Sequence, residues 1–171
     1  TDVAPIVKTT FEPARGGTPA RGEVEAALAR LPGNGRFHRL VFVDGVLVEP
    51  LSVFHELPEG LRVLSFSDAL TQIPELLEQH LGKMALYEDN PFTALTAAFA
   101  RDGVVVHVPK GVVVDRPIEA IWLTTVGAQA IANHARNLLV AEESSEVTLL
   151  DVFHAAHNGT YLNNITTEIV A

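Results

Sequence analysis

Hydrophobic and polar positions follow three different rhythms along the chain. Residues 1–21, with Pro5, Pro13, Gly16, Gly17 and Pro19, sustain no period and predict an irregular lead-in. From Gly22 the spacing of Val24, Ala27, Leu28 and Leu31 predicts one apolar stripe on a helix that Pro32 and Gly33 stop. Two β-branched runs, 39–43 and 46–48, flank Asp44-Gly45, which predicts a hairpin because a type I′ turn needs positive φ at both central residues. A strand is expected over 61–66, with Ser67-Asp68 capping the next element. A short helix is expected over 74–81, with proline in its first turn and Gly82 at its end. Asn90-Pro91 opens a third helix whose expected core face is Phe92, Leu95, Ala98 and Phe99. Residues 22–102 therefore read as a small mixed α/β region.

After Gly103 helical periodicity disappears. Short β-rich runs at 104–108, 112–114, 118–123, 138–140, 147–152 and 161–170 alternate with turn residues such as Pro109-Lys110-Gly111 and Asp115-Arg116-Pro117. Runs of this length suit a sandwich or a parallel β-helix, and periodicity alone leaves both open. In a solenoid each coil buries its apolar face only on its neighbours, so the last coil needs a cap or more coils. The final residues, Glu168-Ile169-Val170-Ala171, lie inside an apolar strand. On the solenoid reading, 103–171 is the truncated start of a longer stack in a longer natural protein.

Composition narrows the function. At 47% hydrophobic and 19% charged, the 171 residues can pack a core and lie outside the disordered class. The absence of cysteine removes disulfides, thiol nucleophiles and thiolate ligands for a cluster or zinc. Twenty-one acidic against 12 basic residues give a net charge of −9 without a basic cluster, which argues against nucleic acid or an anionic membrane as partner. No apolar run approaches the ~20 residues of a membrane helix, and no charged segment precedes an apolar one as in a secretory signal. The expectation is a soluble, cytoplasmic protein, in which the sequons at Asn158 and Asn164 carry no meaning.

Local chemistry is sparse. Asp151, His154 and His157 offer carboxylate and imidazole groups at three-residue spacing, which converge on a metal only if the segment is helical. On a strand the same spacing sends them to opposite faces, and polar residues at a coil corner is the plainer reading. His107, between Val106 and Val108, reads as a strand histidine. Glu142, Glu143, Glu146 and Asp151 raise the possibility of paired acids for glycoside hydrolysis, since carbohydrate-active enzymes use β-helices. Adjacent strand residues face opposite ways, so Glu142 and Glu143 read instead as a solvated acidic edge. Ser144-Ser145 lies in no nucleophile elbow, and Lys110-Gly111 follows a proline corner and forms no phosphate-cradling loop.

The stretch Asn90-Pro91-Phe92-Thr93-Ala94-Leu95, followed by 98–112 (AFARDGVVVHVPKGV), resembles the pattern that opens the β-helix in the SufB and SufD family. Residues 136–148 (RNLLVAEESSEVT) are similar to that family's next signature, and the hairpin at 40–45 is like the SufD branch. The resemblance spans about 40–169. It implies an α/β N-terminal segment leading into the first coils of a right-handed parallel β-helix, mainly β overall. It also implies a non-enzymatic scaffold in iron–sulfur cluster assembly, pairing with a SufB-like protein and working with a SufC-like ATPase, with the cluster assembled by the larger complex. No cofactor is expected to be bound by this segment, and no cluster-handling residue carries over onto it. In isolation the segment is open to homodimerisation, and a β-helix enzyme acting on polysaccharide and a generic interaction module are the competing expectations for function.

Overall fold

The computed structural model describes residues 3–14, 21–31, 35–125, 127 and 129–171. The predicted stop of the first helix at Pro32-Gly33 falls outside them. In chain order the elements are α1 (Ala4–Lys8), β1 (Glu12–Pro13), α2 (Arg21–Leu28), β2 (His38–Val43), β3 (Val46–Leu47), β4 (Arg62–Ser65), α3 (Phe66–Gln72), α4 (Pro74–His80), α5 (Pro91–Phe99), β5 (Val104–Val108), β6 (Ile118–Thr124), β7 (Ile131–Ala141), β8 (Leu149–Ala155) and β9 (Tyr161–Val170). A single 3₁₀ turn covers Glu49–Leu51. The fold is α/β with mostly strands, arranged in two mixed sheets.

The chain from β5 onward changes sheet at every strand. β5, β7 and β9 lie in one sheet and pair in parallel, while β6 and β8 lie in the other and also pair in parallel. The connecting corners stack as well. Val113 bridges Glu146 in parallel, and the Gly111 N–H donates to the Glu143 carbonyl at 3.0 Å. Among the described residues antiparallel pairing is confined to the other side of the stack, where β4 runs against β5, β3 against β2 and Val53 against Arg39.

The strands hold because their alternate residues fill two surfaces. Leu40 and Phe42 from β2, Val104 and Val106 from β5, Ile118, Ala120 and Trp122 from β6, and Leu139 from β7 form the core between the sheets. There Phe42 stacks on Trp122 with ring centroids 4.4 Å apart, an aromatic pair worth about 1 kcal/mol beyond its buried area. The opposite faces are covered by helices. Val24, Ala27 and Leu28 of α2 pack on Val41, Ile121 and Leu123, and Ala69 and Leu77 pack on Val105, Leu138 and Val140.

Several expectations change in the structure. The lead-in is not featureless where it is described: α1 forms, and Glu12 and Pro13 pair with Ile131 and Ala132 of β7. The expected strand at 138–140 begins at Ile131, because Asn133, Asn137 and Arg136 find partners for their polar side chains within the stack. The run at 112–114 contributes one bridge and is otherwise a corner. Ser65, not Ser67, caps α3: its hydroxyl accepts from the Asp68 N–H at 3.0 Å and donates to the Asp68 carboxylate at 2.7 Å. On α5 the expected core face is reversed. Thr93 and Thr96 are buried, with the Thr96 hydroxyl bonded to Thr166 of β9 at 2.7 Å, while Leu95 and Phe99 face outward.

Candidate functional site: an open parallel edge

β8 hydrogen-bonds only to β6, and β9 only to β7, so each leaves its far edge unpaired among the described residues. Register fixes which side chains this leaves exposed. Phe153 lies opposite Trp122 and Ile169 opposite Leu139, so both point to the side that carries the core between the sheets. Yet Phe153 is 51% and Ile169 58% exposed, against 3% and 8% for the partners beneath them. These are core positions with nothing laid over them.

Polar side chains in the last layer tell the same story. Asn133 and Asn163 occupy paired positions on β7 and β9, and the Asn133 Nδ2 donates to the Asn163 Oδ1 at 2.8 Å. Thr124 of the facing sheet joins them, accepting from Asn133 and donating to Asn163, each at 3.2 Å. In a ladder of stacked amides each Nδ2 serves the next oxygen along. The Asn163 Nδ2 is buried and has no partner, the state of a ladder stopped between rungs.

β9 also anchors a surface loop. Glu168, on the outer face of the strand, is 1% exposed and takes the Arg136 guanidinium at 2.9 Å. It further accepts the backbone N–H groups of Gly82, Met84 and Ala85 at 2.9, 3.0 and 3.2 Å. Burial alone raises the pKa of this carboxyl, but the three N–H donors and Arg136 together outweigh it and hold Glu168 below the usual carboxylate range. The loop is thereby fixed against the edge strand.

A second buried carboxylate sits at the opposite side of the stack. Asp102 accepts from the N–H groups of Leu47, Phe66, Ser67 and Gly103 at 2.9 to 3.4 Å, tying β3, α3 and β5 together. Burial pushes its pKa up, and those donors oppose the shift only in part. At Gly103 an added Cβ would lie 1.8 Å from the Arg136 carbonyl oxygen, so the close passage of β5 beside β7 admits only glycine. Neither Asp102 nor Glu168 stands out in the sequence, where Asp102 lies between Arg101 and Gly103 and Glu168 follows Thr167.

The residues singled out from sequence do not converge. Asp151 is on β8 on the side of the inter-sheet core and accepts the Trp122 indole N–H at 2.8 Å. Although the residue as a whole is exposed, its carboxyl is crowded, and desolvation raises its pKa against the opposing indole bond. His154, three residues on, falls on the other face of β8, and His157 lies in the bend beyond it. No group of three metal-ligating side chains occurs among the described residues. Glu142 and Glu143 prove to be in a turn, with Ser144 at φ 62°, rather than on a strand. Glu142 bonds His107 at 2.8 Å, and Glu143 bonds Lys110 at 2.6 Å. Each acid thus has its own basic partner, and Asp151 lies away on β8.

The chain is an α/β stack of two mixed sheets whose outer strands β8 and β9 each keep one edge unpaired among the described residues. Comparison with known proteins gives the family. A family model described as "SufBD protein N-terminal region" matches residues 36–120. The chain is 33% identical, over 66% of its length and 23% of the relative's, to the iron–sulfur cluster assembly SufBD family protein ycf24 of Trieres chinensis. It is 31% identical to the iron–sulfur cluster assembly protein SufD of Bacillus subtilis, over 70% of this chain and 28% of that protein. A SufBD family protein of Synechocystis is 29% identical over 77% of this chain and 30% of its own length. The chain belongs to the SufB/SufD family, and it spans less than a third of the length of each of these relatives. No helix among the described residues is long and apolar enough to cross a membrane.

Proposed function

We propose that this chain is the opening portion of a SufD-type, non-catalytic scaffold for iron–sulfur cluster assembly, and that β5 to β9 are the first coils of a right-handed parallel β-helix. The observation that carries the reading is the unfinished layer: Phe153 and Ile169 stand at core positions uncovered, and the Asn163 Nδ2 is buried without an acceptor. Parallel strands that expose a hydrophobic face and unpaired backbone groups invite association and are protected beneath further strands. Right-handed crossovers are the rule for parallel connections. In this reading further coils, or a SufB-like partner, complete the stack. A SufC-like ATPase supplies the energy, and the cluster is cargo of the assembled complex in the cytoplasm.

Co-expression of the natural protein with SufB-like and SufC-like proteins, followed by size-exclusion chromatography, tests this. Co-elution of the three is expected, with no turnover by the scaffold alone. Elution of the protein by itself at its monomer mass would overturn the proposal.

A further inference from the structure

The reversed orientation of α5 leaves its apolar stripe facing a groove. Leu95, Ala98 and Phe99 form one wall, and Ile6 and Phe11 of the N-terminal segment stand opposite, around a cavity of about 550 Å³. Its size and largely hydrophobic lining are those of a small-molecule site. The polar groups at this groove are unusual for a chain of net charge −9, because those left able to reach a ligand are donors.

Three polar side chains with acceptor atoms line it, and none of the three offers one to an incoming ligand. The Asp44 carboxylate is taken by the Thr125 backbone N–H at 2.8 Å and by the Thr125 hydroxyl. The Asn133 Oδ1 has no partner but is buried out of a ligand's reach, and its amide nitrogen is committed to Thr124 and Asn163. The His134 Nδ1 faces the Asn164 amide nitrogen at 3.1 Å, an N–H donor that also bonds the Phe92 carbonyl. That contact makes Nδ1 the acceptor and puts the ring proton on Nε2. Desolvation lowers the His134 pKa, in keeping with a neutral ring packed beside Phe99 at 5.8 Å between centroids. Arg101, at the rim, spends one N–H on the Ala14 carbonyl at 3.3 Å and keeps its charge and further donors. Among the described residues the groove thus joins apolar walls to a guanidinium and an imidazole N–H.

From this geometry we infer that the groove between α5 and the N-terminal segment binds an amphipathic carboxylate, with its apolar body along Leu95, Ala98 and Phe99 and its carboxylate at Arg101 and the His134 Nε2–H. This does not depend on the scaffold reading. A carboxylate is favoured over a neutral head because it supplies two acceptors to two donors that lack them, and charge-assisted bonds of this kind are the stronger ones.

Isothermal titration of the 171-residue protein with decanoate, decanol and acetate tests the site, with ¹H–¹⁵N spectra locating each ligand. Saturable decanoate binding is expected, with shifts at Leu95, Phe99 and the His134 ring. Acetate should bind at least tenfold more weakly. Arg101→Gln should weaken decanoate about tenfold and leave decanol unchanged. Ala98→Trp, at an exposed position, should fill the groove and abolish both. The proposal fails if decanoate does not saturate, if decanol binds as tightly as decanoate, or if the shifts map to Phe153 and Ile169 at the open edge.

Discussion

The two ends of the strand stack meet the same physical problem in opposite ways. At one end short antiparallel strands finish each sheet, the two residues of β3 on β2 and the four of β4 on β5. Beneath them Leu40, Phe42, Val104 and Val106 are fully buried, and Asp102 gathers four backbone N–H groups where the elements cross. At the other end the last strands are long and parallel: β8 has seven residues and β9 ten. They leave core-facing Phe153 and Ile169 in water. Short edge strands are a known way to protect a sheet from association, and long apolar edges invite it. The contrast shows that hydrophobic residues alone do not mark where a core lies. What matters is whether something is placed over them.

Mutations at the finished end should be the most damaging. Gly103→Val puts a side chain into the Arg136 backbone, and a loss of about 4 kcal/mol or more is expected, enough to prevent folding of a marginal domain. Circular dichroism and solubility of the expressed variant check this. Native-like unfolding of the variant would show that β5 and β7 can separate. Phe42→Ala removes the ring stacked on Trp122 and should cost about 3–5 kcal/mol in urea unfolding. Glu168→Ala leaves Arg136 buried without its partner and frees the N–H groups of 82–85, with an expected cost of about 3 kcal/mol. Because Glu168 is on the open-edge strand, a cost under about 1 kcal/mol would mean that β9 is loosely held as well as uncovered.

Much of this arrangement was legible in the chain. The Asp44-Gly45 hairpin has φ of 50° and 77° at its two turn residues, as the dipeptide implies, and Asn90 caps α5 through its side chain. The strand runs 104–108 and 118–123 were readable because apolar residues on both faces mark strands covered on both sides, and 161–170 because of its β-branched residues. The first half of β7 was not. Ala132, Asn133, His134 and Arg136 look like loop residues until the neighbouring strand supplies Asn163, Asn164 and Glu168 as partners. The orientation of α5 was hidden for a related reason. Its threonines are buried because Thr166 and Asn164 of β9 present polar groups to the helix, information held 70 residues away. Asp151 and His154 stand three apart on one strand and so face apart, as a period of two implies. The groove at Arg101 and His134 left no local motif to read.

Titration should separate the covered interior from the edge. Burial lowers the His38 pKa, helped by His55 and Arg116, and burial also lowers that of His134. Both rings are therefore favoured neutral in the folded state, while the unfolded chain protonates them near the ordinary value of about 6.5. Below that pH the unfolded state binds more protons, so stability is complete above about 6.5 and is lost as pH falls towards the lowered folded values. Urea unfolding across this window should show the midpoint rising with pH, and His38→Asn should flatten the slope. The raised pKa of Asp102 works in the opposite sense, its folded carboxyl losing ground as pH rises above about 3.9. An unchanged slope in the His38 variant would show that the 38–55 contact is not protonation-sensitive.

The smallest expected effect on stability discriminates most sharply between the ends. Phe153→Ser removes a ring as large as that of Phe42, yet the ring is half in water and nothing lies over it. Unfolding should change by no more than about 0.5 kcal/mol, as at an ordinary surface position. Ile169→Lys should be equally mild and should add a charge to the edge. What both variants should alter is association. Light scattering of the 171-residue protein should show self-association that falls in each variant, while the more costly Phe42→Ala leaves the edge as adhesive as before. If Phe153→Ser instead destabilised the protein as much as Phe42→Ala, the layer at β8 would have to be regarded as finished in solution, and the case for a stack awaiting its next coil would lose its main support.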